Sequence, residues 1–344
     1  MPKISVILCA YNAEQYLSDA VNSVLGQTFK DLELIIVNDG SCDSTLAVAL
    51  QFCQRDPRVK LVNIENGGLS NARNVGIGQA TGDFIAFCDA DDTIDSGCFE
   101  TMYEAVCRDA TDMVICGYHH DTVKKDGSVS TVDVFEPSAV YYTREQLFDG
   151  IVGLKSKFIL DASWNKLYRK KIIDENNLLM PKGELFEDTA FVLSFLECSS
   201  KVSVLSDCFY RYMQRSNGSI TKRYDERKLS DLKKRYRQLK EFVDGADTKV
   251  KRFVEFYYVK NVYSTLSNSF DCKDFTRRQR NKLFKTELKN DTFLGCVKNA
   301  EGYGFADKVT VFVAKCGFIW FQKLYCKAIW FLKRRAAVLF AKIK

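Results

Sequence analysis

The N-terminal third of the chain repeats one pattern. Short runs of consecutive apolar residues, Ile4 to Cys9, Leu32 to Val37, Val59 to Ile64, Phe84 to Cys88 and Met113 to Cys116, are separated by helix-length segments. Runs without in-and-out alternation are apolar on both faces, which predicts strands of a parallel sheet covered by helices on each side, an α/β fold. Ala13 to Leu25 and Ser44 to Cys53 carry helical spacing, and Ser70 is expected to cap a helix ending near Gly82. From Tyr118 to Tyr142 the pattern turns polar and β-branched, as in an irregular hairpin or a connection over the sheet edge. Glu145 to Val152 and Glu187 to Cys198 form two further elements, followed by a strand-like segment from Lys201 to Tyr212. Beyond Ser219, Leu229, Leu232, Tyr236, Leu239 and Val243 recur at spacings of three and four among charged residues, so the remainder reads as helical. A soft boundary is expected at residues 216–222. It gives an α/β domain at 1–220, a helical region at 221–300 and a basic amphipathic tail at 301–344.

Composition narrows the class. In 344 residues, 46% hydrophobic and 27% charged positions describe an ordinary globular chain with a sizeable core. The thirteen cysteines are odd in number and scattered singly, with no CxxC pair, so they read as reduced thiols of a cytoplasmic protein. The first apolar run is too short for a secretory signal, and no uncharged stretch approaches the ~20 residues that span a bilayer. The net charge of +6 has one source. Residues 308–344 hold nine Lys and Arg and no acid, leaving 41 basic against 44 acidic residues, a net of −3, in the rest.

In open parallel sheets ligands sit at the carboxyl ends of the strands. The first four runs end in Ala10-Tyr11-Asn12, Asn38-Asp39-Gly40-Ser41, Glu65-Asn66-Gly67-Gly68 and Asp89-Ala90-Asp91-Asp92. Each alone is a turn or a helix cap; four together place polar groups along one edge. Three aspartates within four residues would repel one another unless a cation joined them, and their hard oxygens suit Mg²⁺ or Mn²⁺, ions that serve phosphates. Neither GxGxxG nor GxxxxGK[ST] occurs, which sets aside a dehydrogenase or a P-loop ATPase.

The segments PKISVILCAYNAEQYL, LELIIVNDGSCDST, NGGLSNARNVGIGQATGDFIAFCDADD, SWNKLYR, FEDTAF and YRYMQRSNGSIT follow one another across residues 2–221. In that order they resemble the family 2 glycosyltransferases of the GT-A fold. The resemblance implies a Rossmann-like, mostly parallel catalytic domain followed by an α-helical C-terminal region. It also implies a UDP-sugar donor and a divalent metal, Mn²⁺ or Mg²⁺. Asp39 would accept the uracil N3–H, Tyr11 would pack on the base, and Ala10 would offer backbone contacts. Asn66 and Arg73 match positions lining the nucleotide pocket, although Arg73 could equally be a structural ion pair. Asp91 is the expected metal ligand, with Asp89 on the ribose or a metal-bound water, while Asp92 could cap the next helix.

Glu187-Asp188 resembles the family's ED motif, with Asp188 the expected base and a helix-terminus role the alternative. Lys166, Arg211 and Arg215 are expected on the leaving diphosphate, with solvated surface charge the alternative for Arg215. His119 and His120 are the only histidines and lie in the irregular segment, so no histidine is expected as a third ligand near the end of the domain. The QxxRW element of processive synthases is absent, so one sugar per encounter is expected. The expected acceptor is a glycan or a lipid-linked saccharide. Rivals are a polyprenyl-phosphate glycosyltransferase and a non-catalytic nucleotide-sugar-binding scaffold. Nucleic acid is not an expected partner, and oligomerisation is left open. For the tail, one sector of a helix holds Lys308, Lys315, Lys323, Lys327, Lys333 and Arg334, and aromatic residues fill the rest. It would lie on an anionic membrane at the cytoplasmic face, or else pack on protein.

Overall fold

The computed structural model describes residues 2–124, 126–215, 224–272 and 275–335, with residues 334 and 335 by backbone alone. The chain forms two compact units, Met1–Gly218 and Ser219–Lys344. The expected boundary at 216–222, the SNGSIT end of the last motif and the tail beyond 335 lie outside the described residues.

In the first unit the predicted strands form as β1 (Ile4–Ala10), β2 (Leu32–Asp39), β3 (Val59–Ile64) and β4 (Phe84–Asp89). The short β5 (Thr93–Ile94) follows, then β6 (Met113–Val123), β7 (Val129–Val134), β8 (Ala139–Tyr141), β9 (Lys166–Arg169) and β10 (Val202–Gln214). They make one sheet in the order β3-β2-β1-β4-β9-β6-β10-β5, with β7 on β6 and β8 on β10. Every residue of β1 and β2 is buried, whereas β3, at the edge, is largely half-exposed or exposed. Strand order reverses between β1 and β4, the place where an open α/β sheet leaves a crevice at its carboxyl edge.

The sheet is mostly parallel in its central part, as expected, with one antiparallel strand inserted. β1, β2, β3 and β4 are mutually parallel, as are β6 and β10, but β9 lies between β4 and β6 antiparallel to both. Four residues bounded by Lys166 and Arg169 carry no periodic signal, so the sequence did not announce this strand. The polar segment from Tyr118 to Tyr142 extends β6 and folds back as β7, pairing His119 with Asp133.

Helices α1 (Leu17–Leu25), α2 (Thr45–Arg55), α3 (Leu69–Gln79), α4 (Cys98–Asp109), α5 (Arg144–Ser156), α6 (Lys170–Glu175) and α7 (Glu187–Cys198) connect these strands. Ser70 does not cap α3. The cap is Gly68, at φ 83°, and Ser70 is buried inside the first turn. Within α3, Gly76 lies so close to β1 that a Cβ there would sit 2.3 Å from Ile7 Cγ2; helix propensity gives way to close packing.

The second unit is helical among the described residues: α8 (Arg227–Phe242), α9 (Thr248–Asn268), α10 (Arg277–Leu288), α11 (Asp291–Asn299), α12 (Phe305–Cys316) and α13 (Ile319–Arg335). Leu229, Leu232, Tyr236, Leu239 and Val243 are all buried, as their spacing predicts. Helix α9 is the hub, packed by α8, α11, α12 and α13. The tail's lysines do not form one solvated sector. Lys333 Nζ turns inward and donates to the Ser264 carbonyl (3.1 Å), Ser264 Oγ (2.9 Å) and Asn268 Oδ1 (3.1 Å) near the C-terminus of α9, where a cation is favoured.

Candidate active site

The crevice edge is built by loops that hydrogen-bond to one another. After β1, Asn12 adopts φ 50° and its Oδ1 accepts the Cys42 N–H (2.8 Å), while the Asn12 N–H donates to Ser41 Oγ (3.0 Å). After β2, the Asp39 carboxylate accepts the Gly67 N–H (2.8 Å) on one oxygen and the Gly68 N–H (2.9 Å) on the other. Asn66 Nδ2 donates to the Asp39 carbonyl (3.1 Å), and Gly40, at φ 68°, leaves no room for a Cβ against the Asn66 backbone. Asp39 therefore holds the loop entering α3, and each of its oxygens retains a second lone pair. Ala10 is buried at the strand end, and the Tyr11 ring is 52% exposed beside it.

The aspartates after β4 divide their work. Asp92 is buried and does not cap α4, whose N-cap is Gly97. It accepts the Tyr210 hydroxyl (2.9 Å) and the Met213 N–H (2.7 Å), tying β10 to the end of β4, and the Tyr210 hydroxyl in turn accepts the Asp89 N–H (3.0 Å). The Asp91 side chain is 56% exposed. Its carbonyl accepts from Arg215 Nη1 (2.6 Å), its carboxylate lies 3.5 Å from the same nitrogen, and the guanidinium stacks 4.1 Å over the Tyr16 ring.

Beneath them lies Arg73. Buried on α3, it reaches Asp89 Oδ1 (2.7 Å) at the end of β4, Asp188 Oδ1 on α7, and Glu187 (3.6 Å). Ser163 Oγ donates to the same Asp188 oxygen (3.0 Å). Phe186, at φ 62°, turns the chain so that α7 begins with both acids facing Arg73; a phenylalanine in this left-handed conformation is strained and held by its surroundings. Burial pushes Glu187 up to about 7, helped by the Asp188 charge and opposed by Arg73. Burial likewise raises Asp188 against the pull of Arg73. Four carboxylates, Asp89, Asp91, Glu187 and Asp188, thus face two guanidiniums. The negative surplus and the hard, accessible Asp91 oxygens fit a divalent cation.

Two expected diphosphate contacts lie elsewhere. Lys166 is buried in β9, where its Nζ donates to the carbonyls of Ile159 (2.6 Å) and Ala162 and to Asn165 Oδ1 (2.7 Å), so its donors are already used. Arg211 alternates with Tyr210 on β10 and points to the opposite face, pairing with Asp95 (2.7 Å) and Asp121 (3.2 Å). His119 is on that face too, with ligand atoms of His119, Asp133 and Cys208 within 4.8 Å of one another. Arg215, read from sequence as a diphosphate contact or as surface charge, lies beside Asp91, on the same edge as the other acids. Tyr16, Ser163 and Tyr210 were missed. For Tyr210 the signal was present, because alternation in a strand that presents Arg211 to one face presents its neighbour to the other.

Residues 5–176 match the family model described as glycosyl transferase family 2. An uncharacterized glycosyltransferase, EpsJ of Bacillus subtilis, is 30% identical over 69% of this chain and 68% of its own length. The cholesterol galactosyltransferase of Borreliella burgdorferi is 27% identical over 88% of each chain. In fold, the crystal structure of residues 1–349 of TarS from Staphylococcus aureus, in complex with UDP-GlcNAc, superposes with a TM-score of 0.68, covering 97% of this chain and 92% of that one at 20% identity. With this GT-A architecture and this sequence match, the chain belongs to glycosyl transferase family 2 and is a transferase.

Proposed function

We propose that the protein moves one sugar from a UDP-sugar to a hydroxyl of a glycan or lipid-linked glycan, inverting the anomeric carbon, with a divalent cation at the aspartates after β4. The observation that carries this reading is the convergence of Asp89 and Asp188 on the buried Arg73 at the sheet's switch point. In the single displacement, the acceptor oxygen bonds to the anomeric carbon, the bond from that carbon to the diphosphate breaks with its electrons going to UDP, and the acceptor proton passes to Asp188. Ser163 and Arg73 orient that carboxylate, and burial raises its affinity for the proton.

Asp91, with Asp89, would hold Mg²⁺ or Mn²⁺, which supplies charge neutralisation to the departing diphosphate. Arg215, beside Asp91, is the side-chain cation in position to add to it. The free lone pairs of Asp39 would accept the uracil N3–H, with Tyr11 against the base and Ala10 and Asn66 lining the pocket. The UDP-GlcNAc bound by TarS supports a uridine donor. Thirteen free thiols support a cytoplasmic setting. A second reading, direct transfer to a lipid, is favoured by the cholesterol galactosyltransferase, which aligns along nearly the whole chain.

Purified protein incubated with a panel of UDP-sugars tests the reading. UDP release that requires Mn²⁺ or Mg²⁺, and a product of inverted anomeric configuration by NMR once an acceptor is supplied, are expected. UDP binding without release from any sugar would leave a nucleotide-sugar-binding scaffold.

A further inference from the structure

The outward faces of α12 and α13 carry an uninterrupted stripe of aromatic and basic side chains. On α12, Phe305, Lys308, Phe312 and Lys315 are all exposed, Phe305 by 86%. The turn at Gly317 leaves Phe318 exposed, and α13 continues with Trp320 (69%), Leu324 and Lys327. At about 100° per residue, each helix confines its set to a sector of roughly 80° or less.

The stripe is not an unmade core. Its opposite side is already packed, with Thr310, Val311, Val313, Ala314, Gln322 and Cys326 buried on the side facing α9. Tyr263 of α9 donates to Gln322 Oε1 (2.9 Å), and Thr310 and Tyr325 share a hydrogen bond of 2.7 Å across the two tail helices. Five large apolar side chains thus remain in water on a folded element, more than scattered surface residues account for.

Charge identifies the occupant. From Lys308 onward the sequence has nine basic residues and no acidic one. A second copy of the chain would bring like charges together across a two-fold interface. A bilayer with anionic headgroups suits both components, taking the ammonium groups at the phosphate level and the rings beneath it. Among the described residues no helix is long and apolar enough to cross a membrane.

We propose that the α12–α13 face docks on an anionic lipid surface, lying in the headgroup layer. This inference is independent of the sugar-transfer reading, and its test does not involve catalysis. The full-length chain is sedimented with phosphatidylcholine vesicles, with or without phosphatidylglycerol, at low and high salt. Binding is expected only with the anionic vesicles and should fall with salt. Replacing Lys308, Lys315 and Lys327 together by Gln should weaken partitioning roughly 10²-fold, about fivefold per charge. The pair Phe312→Ser and Trp320→Ser should abolish it while leaving the thermal unfolding midpoint and UDP affinity unchanged, since both side chains are exposed. No sedimentation of the parent, equal binding to neutral vesicles, or parent-like binding by the Ser pair would overturn the proposal. So would a dimer in light scattering that the Ser pair dissolves, which would make the stripe an interface between copies.

Discussion

Arg73 of α3 and Asp188 of α7, 115 residues apart in the chain, form an ion pair beneath the crevice. Arg73 is 2% exposed and holds Asp89 as well, so one guanidinium joins the end of β4 to the start of α7. Its charge is what allows the carboxylates to stand together in a place that burial makes unfavourable for anions.

Replacing Arg73 by Met keeps the length and removes the charge. Breaking a buried pair from one side leaves its partners uncompensated, which typically costs about 3–5 kcal/mol. The urea midpoint of Arg73→Met should fall accordingly, with transfer lost even under conditions where the variant is folded. An unfolding free energy within ~0.5 kcal/mol of the parent's would show that the acids do not depend on Arg73.

Asp188→Asn keeps the shape and removes the proton acceptor. Transfer should drop at least ~10²-fold, the usual cost of a lost general base, while calorimetry shows near-parent UDP affinity. If binding is lost together with transfer, the carboxylate acts in donor binding or folding instead.

Glu187, raised to about 7 by burial and by Asp188, predicts a pH dependence of stability with a definite sign. An acid whose folded pKa exceeds its unfolded one takes up a proton on folding between those values. Its contribution to stability is therefore greatest in acid and declines as pH rises from the ordinary glutamate range to about 7. Glu187→Gln removes this decline. Parent and variant should have similar denaturation midpoints near pH 5, and the variant should gain on the parent by pH 8.

Asp91 and Asp92 are neighbours with opposite predictions. Asp91→Asn should leave the melting temperature unchanged, because the side chain is largely solvated, but should weaken metal-dependent UDP binding and abolish transfer; EDTA should do the same to the parent. For Asp92 the informative change is Tyr210→Phe, which strips a donor from a buried carboxylate and an acceptor from the Asp89 N–H. It should cost about 1–3 kcal/mol in stability. Full turnover of the parent in EDTA would remove the metal from the mechanism.

These contrasts mark what was legible in the sequence. β1, β2 and β4 were readable because parallel strands buried on both faces need unbroken apolar runs, and the polar residues at their ends met along one edge for the same topological reason. β9 was not readable, since the strand is short, and Lys166 is buried by satisfying its ammonium rather than by being apolar. The ED acids were recognised as a motif, but their shared Arg73 is a long-range pairing that no local pattern encodes. For Arg211 the residue type suggested phosphate, and only the phase of the strand shows which face it serves.

Lys166 allows the two assignments for the cation in SWNKLYR to be separated by experiment. Burial pulls its pKa down to about 7, yet three acceptors, the carbonyls of Ile159 and Ala162 and Asn165 Oδ1, match the three donors of an ammonium. A structural lysine replaced by Met strands those buried acceptors. Each unsatisfied group costs about 1–3 kcal/mol, so Lys166→Met should lower the unfolding free energy by several kcal/mol. A diphosphate-binding lysine would behave differently, leaving stability intact and raising the KM for the UDP-sugar. Urea denaturation with steady-state kinetics on the same variant separates the two. A stable Lys166→Met with a raised KM would return Lys166 to the donor site, whereas a destabilised variant whose folded fraction keeps the parent KM would assign it to the loop that presents Ser163 to Asp188.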